Sequence, residues 1–193
     1  MKTLEIILAS QSPRRKEILE KSGFEFSTIS LNADESFPSD MPAKEVAKYL
    51  AEKKALAFKG NLENKILITS DTIVICDNKV LGKPKDKNEA KQMLKSLSNN
   101  TNLVITGVCI KTNDETITFD DTTEVIFRSL NDSEIDHYID KYKPYDKAGA
   151  YGIQEWIGMI GIERINGSYY NVMGLPSHKV YEVIKKKQDQ KFS

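Results

Sequence analysis

The stretch Ile66-Leu67-Ile68-Thr69-Ser70-Asp71-Thr72-Ile73-Val74-Ile75-Cys76 decides the fold. It is apolar and β-branched almost throughout, which suits a strand in the core. Asp77-Asn78 then supplies turn residues, and Lys79-Val80-Leu81 resumes an extended pattern. Together they predict a hairpin, and so an antiparallel element in the middle of the chain.

Before this hairpin, strands and helices alternate. Ile6 to Ala9 reads as a short buried strand. Ser12 offers an N-cap, Pro13 the first helical position, and Ile18 and Leu19 an apolar face, with Ser22-Gly23 as the stop. Phe24 to Leu31 predicts a second strand, residues 32–42 a polar loop carrying Asp34, Glu35 and Asp40, and Ala43 to Phe58 a longer helix. After the hairpin, Asp86 with Glu89 and Asn131 with Glu134 are two capping-box patterns, each ahead of an amphipathic helix. Leu103 to Lys111 and Glu115 to Phe127 predict two strands around Asn113-Asp114. The glycine-rich stretch from Ala148 leads to a strand near Met159 to Ile165, with a turn at Asn166-Gly167. A last helix is expected over Ser177 to Lys187, with a frayed tail from Gln188 to Ser193. Early alternation and later hairpins together predict a mixed α/β sheet with flanking helices, not a purely parallel wound fold.

The 193 residues suit one domain, or one domain with a small lobe, and 39% apolar residues supply a core. Lys and Arg (28) balance Asp and Glu (28), so no global field draws nucleic acid or an anionic membrane. Any bound anion must be held by a local cluster. Cys76 and Cys109 lie singly in apolar runs and read as reduced core thiols. The start, Met1 to Ser10, is too short and too acidic for a signal peptide, and no apolar stretch reaches membrane-spanning length. A cytoplasmic protein is expected.

No glycine-rich nucleotide motif follows the first strand. Ser10-Gln11-Ser12-Pro13-Arg14-Arg15 offers a different anion site, because a strand hands directly to a helix N-terminus. Arg14 and Arg15 there oppose the helix macrodipole, a conflict that a bound polyanion removes. Ser10 and Ser12 can donate to the same anion, although an ordinary Ser/Pro cap with solvated arginines explains the sequence about as well. Lys54 falls within the apolar stripe of Val46, Ala47, Leu50, Ala51, Ala57 and Phe58, which favours an ammonium aimed inward over a snorkelling one. Asp71 interrupts a core strand, where a carboxylate must be paired, hydrogen-bonded or metal-bound. It is the first candidate for a general base or metal ligand. Asp34 and Glu35 are candidates to join it around Mg²⁺ or Mn²⁺. Lys83 and Lys147 are further possible phosphate contacts. Gln154, at the end of Tyr151-Gly152-Ile153-Gln154, brings a donor and an acceptor to a base edge. His137 and His178 read as surface residues.

Taken together these positions resemble the Maf family of nucleoside-triphosphate pyrophosphatases. The matching segments are Ala9 to Arg15, Asp34-Glu35, Lys54-Ala55, Ser70-Asp71-Thr72, Gly82-Lys83-Pro84, Thr106-Gly107, Lys147 to Gln154 and Gly174-Leu175-Pro176. The resemblance implies an elongated mixed α/β fold related to inosine-triphosphate pyrophosphatases, with two lobes around a nucleotide cleft. It implies cleavage between the α- and β-phosphates with a divalent cation, Asp71 as proton acceptor, and Arg14, Thr72 and Gln154 at the positions linked to base choice. In that scheme Ser12, Arg14, Arg15, Lys54 and Lys83 hold the triphosphate, and Glu35 with Asp71 organises the metal. Those base-choice residues match the branch acting on dTTP and UTP, and a homodimer fits the resemblance. The segment Ser177-His178-Lys179 departs from the family's apolar continuation. The rival readings are a non-catalytic nucleotide-binding regulator of cell division and a nucleic-acid module; zero net charge argues against the second.

Overall fold

The computed structural model describes residues 4–190. The chain runs β1 (Glu5–Ala9), α1 (Pro13–Lys21), β2 (Phe26–Ile29), α2 (Ala43–Ala57), β3 (Lys65–Cys76), β4 (Lys79–Leu81), α3 (Lys87–Leu97), β5 (Thr101–Lys111), β6 (Thr116–Phe127), α4 (Asp132–Tyr142), α5 (Trp156–Gly161), β7 (Ile162–Asn166), α6 (Tyr169–Val172) and α7 (Ser177–Gln190), with a 3-10 turn at Ala148–Ala150. Among the described residues the strands form one seven-stranded sheet, β2-β1-β3-β5-β6-β7, with β4 on β3. β1 is parallel to both β2 and β3, because α1 and α2 provide the long crossovers that parallel pairing needs. β3 and β4 are antiparallel. Their two-residue turn has positive φ at both Asp77 (48°) and Asn78 (61°), the geometry that twisted hairpins prefer and Asp/Asn tolerate. The sheet is therefore mixed, as the hairpin stretch requires.

The chain divides into two compact units. The first takes the chain to Asp71, Thr106–Asp121 and the chain from Gly174 on. Its core includes Ile7, Ala9, Ala51, Ala55, Leu67 and Cys109. Helix α2 buries Val46, Ala47, Leu50, Ala51 and Ala55. It lies so close to β5 that a Cβ on Gly107 would stand 2.3 Å from the Ala47 carbonyl oxygen. The Thr69 hydroxyl donates to the Ala51 carbonyl at 2.6 Å, fixing the same helix along its axis. Helix α7 buries Val180 and Ile184, and Leu175, just before it, is buried too. Lys179 donates to the Asp120 carbonyl and pairs with Asp121, so its polar start serves as an anchor.

The second unit takes Thr72–Ile105 and Thr122–Met173. Leu94, Leu97, Phe127, Tyr138, Ile139 and Ile157 are among its buried core residues. Lys87, Lys91 and Lys95 of α3 pair with Asp140, Asp136 and Asp132 of α4, an antiparallel ladder at helical spacing. The Asn131–Glu134 capping box closes in full. At Asp86 only half of it forms, since Glu89 reaches back to the Lys85 N–H instead.

Three expectations need correction. Met159 to Gly161 is helical, and the strand begins at Ile162; an apolar run this short has no period that separates helix from strand. The one-turn helix α6 went unforeseen, because its cap, Ser168, follows a turn glycine with φ 133° and reads as more turn. Helix α7 continues through Gln188 to Gln190, where a tail was expected; Lys191 to Ser193 lie outside the described residues. No helix among the described residues is long and apolar enough to cross a membrane.

Two measurements check this packing. Gly107→Ala is expected to destabilise the protein by roughly 2–4 kcal/mol in urea unfolding, because a methyl group meets backbone and not a movable side chain. Glu134 accepts two bonds from Arg128, at 2.7 and 3.1 Å. Its carboxyl is held below the ordinary value of 4.5, first by Arg128 and then by the Asn131 N–H. A lowered folded-state pKa stabilises fully above that ordinary value and is lost as pH falls through the lowered one. Glu134→Gln should therefore be less stable than the parent at neutral pH, with the gap closing as thermal unfolding is followed into acid.

Candidate active site

In the first unit, β1 delivers the chain to the start of α1. Ser12 is the N-cap and Pro13 follows at once, yet the Ser12 side chain makes no capping bond. The Ser10 hydroxyl accepts from the Ser12 N–H at 3.2 Å and holds the strand-to-helix bend. No acidic residue occupies the first turn. Arg15 turns inward. Its Nε donates to the Gly174 carbonyl (2.8 Å) and its Nη1 to the Ser70 carbonyl (2.9 Å). The Ser70 hydroxyl donates to the same Gly174 carbonyl at 3.1 Å. Burial pushes the Arg15 pKa down; Asp71 opposes that shift, while nearby Arg14 adds to it and Glu35 opposes it. A guanidinium stays charged through such a shift. Arg15 thus ties the start of α1, the middle of β3 and the Gly174 turn together, a role invisible in the sequence.

One turn from the end of α2, the Lys54 ammonium reaches Asp71 Oδ1 at 2.5 Å and Glu35 Oε1 at 2.9 Å. The Lys54 and Asp71 side chains are only 14% and 13% exposed, whereas Glu35 is 53% exposed. The inward-facing lysine and the carboxylate inside a core strand are therefore each other's compensation. Two carboxylates, one from a loop and one from a strand, converge on a single cation.

Asp34 does not join them. Its Oδ2 takes a bond from Lys53 at 2.7 Å, and Lys53 also donates to the Ser36 carbonyl at 2.8 Å. Lys53 first, then the Ser36 hydroxyl and N–H, hold the Asp34 carboxyl well below its ordinary range. The neighbouring lysines sort the neighbouring acids: Lys53 clamps the residues on either side of Glu35, and Lys54 takes Glu35 itself. Among the described residues no group of three or more His, Cys, Asp or Glu is arranged to hold a metal. His137 and His178 are exposed on α4 and α7, and both cysteines are buried and free.

In the second unit, Thr72 follows Asp71 on β3, and Lys83 is exposed in the loop after β4. That loop meets the 148–150 turn, since the Gly149 N–H donates to the Gly82 carbonyl at 3.1 Å. Gln154 is exposed at a depression of about 360 Å³ that Ile153, Met159, Ile162 and Tyr169 help to line. Lys147 is not available to a phosphate. It is buried, and its ammonium pairs with Asp146 at 2.7 Å and Glu155 at 3.0 Å. The other Glu155 oxygen accepts from the Tyr138 hydroxyl, which in turn accepts from the Gly152 N–H at 3.0 Å. Burial and then Glu155 push the Tyr138 phenol pKa far above its ordinary value, so it stays a donor across the physiological range. Sequence reading missed Tyr138 and Glu155. The available sign was an acid directly after Gln154, entering the apolar segment Trp156-Ile157.

The Maf-like protein family model matches residues 5–187. The dTTP/UTP pyrophosphatase of Flavobacterium johnsoniae is 51% identical over 185 residues, 95% of each chain. That of Flavobacterium psychrophilum is 52% identical over 177 residues, 91% of each. That of Parabacteroides distasonis is 49% identical over 187 residues, covering 96% of this chain and 97% of the other. The solved structure of a HAM1 protein from Coxiella burnetii is 15% identical, with a TM-score of 0.48 over 95% of this chain and 99% of that one, a likeness too slight to carry an argument.

Arg15 donates to two backbone carbonyls through a fork that an ammonium cannot copy. Arg15→Lys is expected to cost about 2 kcal/mol of stability in the absence of any ligand. Thermal denaturation of the variant beside the parent checks this.

Proposed function

Because the chain belongs to the Maf-like protein family, we propose that it is a nucleotide pyrophosphatase that hydrolyses dTTP and UTP to the monophosphate and pyrophosphate. The observation that carries this reading is the convergence of Asp71 and Glu35 on Lys54 in the same unit as the arginine-bearing start of α1. Three curated relatives near 50% identity bear that activity in their names, each matched over more than nine-tenths of its length.

In this reading the triphosphate is gripped by Ser10, Ser12, Arg14, Arg15 and Lys54, with Lys83 as a further cation. The uncapped, doubly basic start of α1 favours a polyanion, since it reverses the conflict between the arginines and the helix dipole. Glu35 and Asp71 fit a Mg²⁺ or Mn²⁺ ion, because Mg²⁺ is commonly bound through one or two carboxylates plus substrate phosphates. Such an ion supplies charge neutralisation on the phosphates when bound. Lys54 holds the two carboxylates together in its absence and keeps Asp71 aimed. Asp71 takes the proton from a water whose oxygen bonds to the α-phosphorus. The bond from that phosphorus to the bridging oxygen breaks, and pyrophosphate leaves with the electron pair.

Arg14, Thr72 and Gln154 are assigned to base choice. The uracil and thymine edge offers a carbonyl acceptor beside an N–H donor, and a carboxamide answers both. Cytosine reverses that order. A pocket that leaves a buried polar group unpaired rejects the wrong base strongly.

Pyrophosphate release from a panel of triphosphates with Mg²⁺ or Mn²⁺ is the direct test. Asp71→Asn is expected to lower kcat by about 10²–10⁴-fold while nucleotide still binds. Full activity in that variant sinks the assigned role. In the same panel Gln154→Glu should abolish the preference for dTTP and UTP.

A further inference from the structure

Gln154 poses a problem that the proposed function leaves open. A carboxamide can turn over and present its donor and acceptor in either order. A freely turning Gln154 accepts cytosine as readily as uracil, so selectivity requires that its approach to the base be fixed. Gln154 is exposed, and among the described residues no hydrogen bond or ion pair holds its side chain.

Its neighbours do. Tyr151, Gly152 and Ile153 are buried. The Tyr151 hydroxyl donates to Asn102 Oδ1 at 3.1 Å, deep in the core. Just before them the backbone is left-handed at two successive residues, Gly149 (φ 68°) and Ala150 (φ 58°). Left-handed alanine is disfavoured and persists only where the surroundings over-determine it. The Tyr138 hydroxyl then closes the loop, accepting from the Gly152 N–H and donating to Glu155. One oxygen of α4 thus ties the residues two before and one after Gln154. Lys147 holds the far oxygen of Glu155 at 3.0 Å and fixes its carboxylate plane. The fit is close: a Cβ on Gly152 would lie 2.7 Å from Glu155 Cδ and 3.0 Å from Lys147 Cε.

We propose that Tyr138, Glu155 and Lys147 form a positioning network that orients Gln154 and so sets the discrimination between uracil-type and cytosine bases. The proposal rests on the reading of Gln154 given above. None of the three residues touches the phosphates in that reading, so their loss acts on base choice and on KM, leaving the chemical step largely alone.

Tyr138→Phe removes one oxygen and keeps the ring that stacks on Tyr142. Its preference for UTP over CTP in kcat/KM should fall about tenfold, through KM, with kcat within about twofold of the parent. Glu155→Ala should fall at least as far, and Glu155→Gln, which keeps an acceptor for Tyr138, should recover part of the loss. Without nucleotide, amide exchange at Gly152 should quicken about tenfold in Tyr138→Phe. Unchanged exchange overturns the network itself. If Gln154→Glu alters the UTP/CTP ratio while Tyr138→Phe does not, the positioning role is wrong and the base-choice reading stands. If neither alters it, the base-choice reading fails and takes this proposal with it. A Tyr138→Phe enzyme with lower kcat, lower melting temperature and an unchanged ratio shows a structural role only, which also overturns the proposal. Should Glu155→Ala fail to fold, Tyr138→Phe decides alone.

Discussion

An ammonium on the buried stripe of a helix cannot stand without counter-charge, and Lys54 obliges the first unit to supply it. Burying a lone cation or a lone carboxylate costs several kcal/mol, whereas a close pair cancels much of that cost. Lys54 and Asp71 are nearly equally buried and 2.5 Å apart, so neither is tolerable without the other. The pairing works only if α2 sits at one height and one depth against the sheet. Gly107 sets the depth, because no side chain separates the helix from β5. The Thr69 hydroxyl on the Ala51 carbonyl sets the height. Arg15 completes the frame by donating to Ser70, the residue before Asp71. The geometry of the carboxylate cluster is thus inherited from helix packing.

Two exposed polar residues in this protein are held by the same device. Glu35 lies between Asp34 and Ser36, both bonded to Lys53. Gln154 lies between Gly152 and Glu155, both bonded to Tyr138. A loop residue that meets a ligand must stay solvated before binding, which leaves it few contacts of its own. Anchoring the residues on either side removes much of the conformational freedom that binding otherwise has to remove. The anchors differ in kind. Lys53 and Asp34 form an ion pair open to water and salt, whereas the Tyr138 hydroxyl lies in a protected interior where its bonds are less screened.

The charge balance of the chain is achieved locally. Lysines of α3 face aspartates of α4 one for one, and Lys187 meets Glu115 in the other unit. Such exposed pairs contribute little stability individually.

The sequence by itself determined the elements whose cause is local. The Asp77-Asn78 turn, the Ser12-Pro13 helix start and the Asn131–Glu134 box were all legible, because each is fixed by residues a few positions apart. The mixed character of the sheet followed from them. Lys54 and Asp71 were legible as anomalies, a charge on an apolar stripe and a charge in a core strand, since burial makes an unpaired charge conspicuous. That they answer each other, that Asp34 is spent on Lys53, and that Lys147 is buried against Glu155 were decided by tertiary structure alone. Those partners lie 8 to 19 residues apart on different elements, and only packing sets such distances. The helical state of Trp156–Gly161 was likewise beyond the sequence, because a short apolar run suits either element until its neighbours choose.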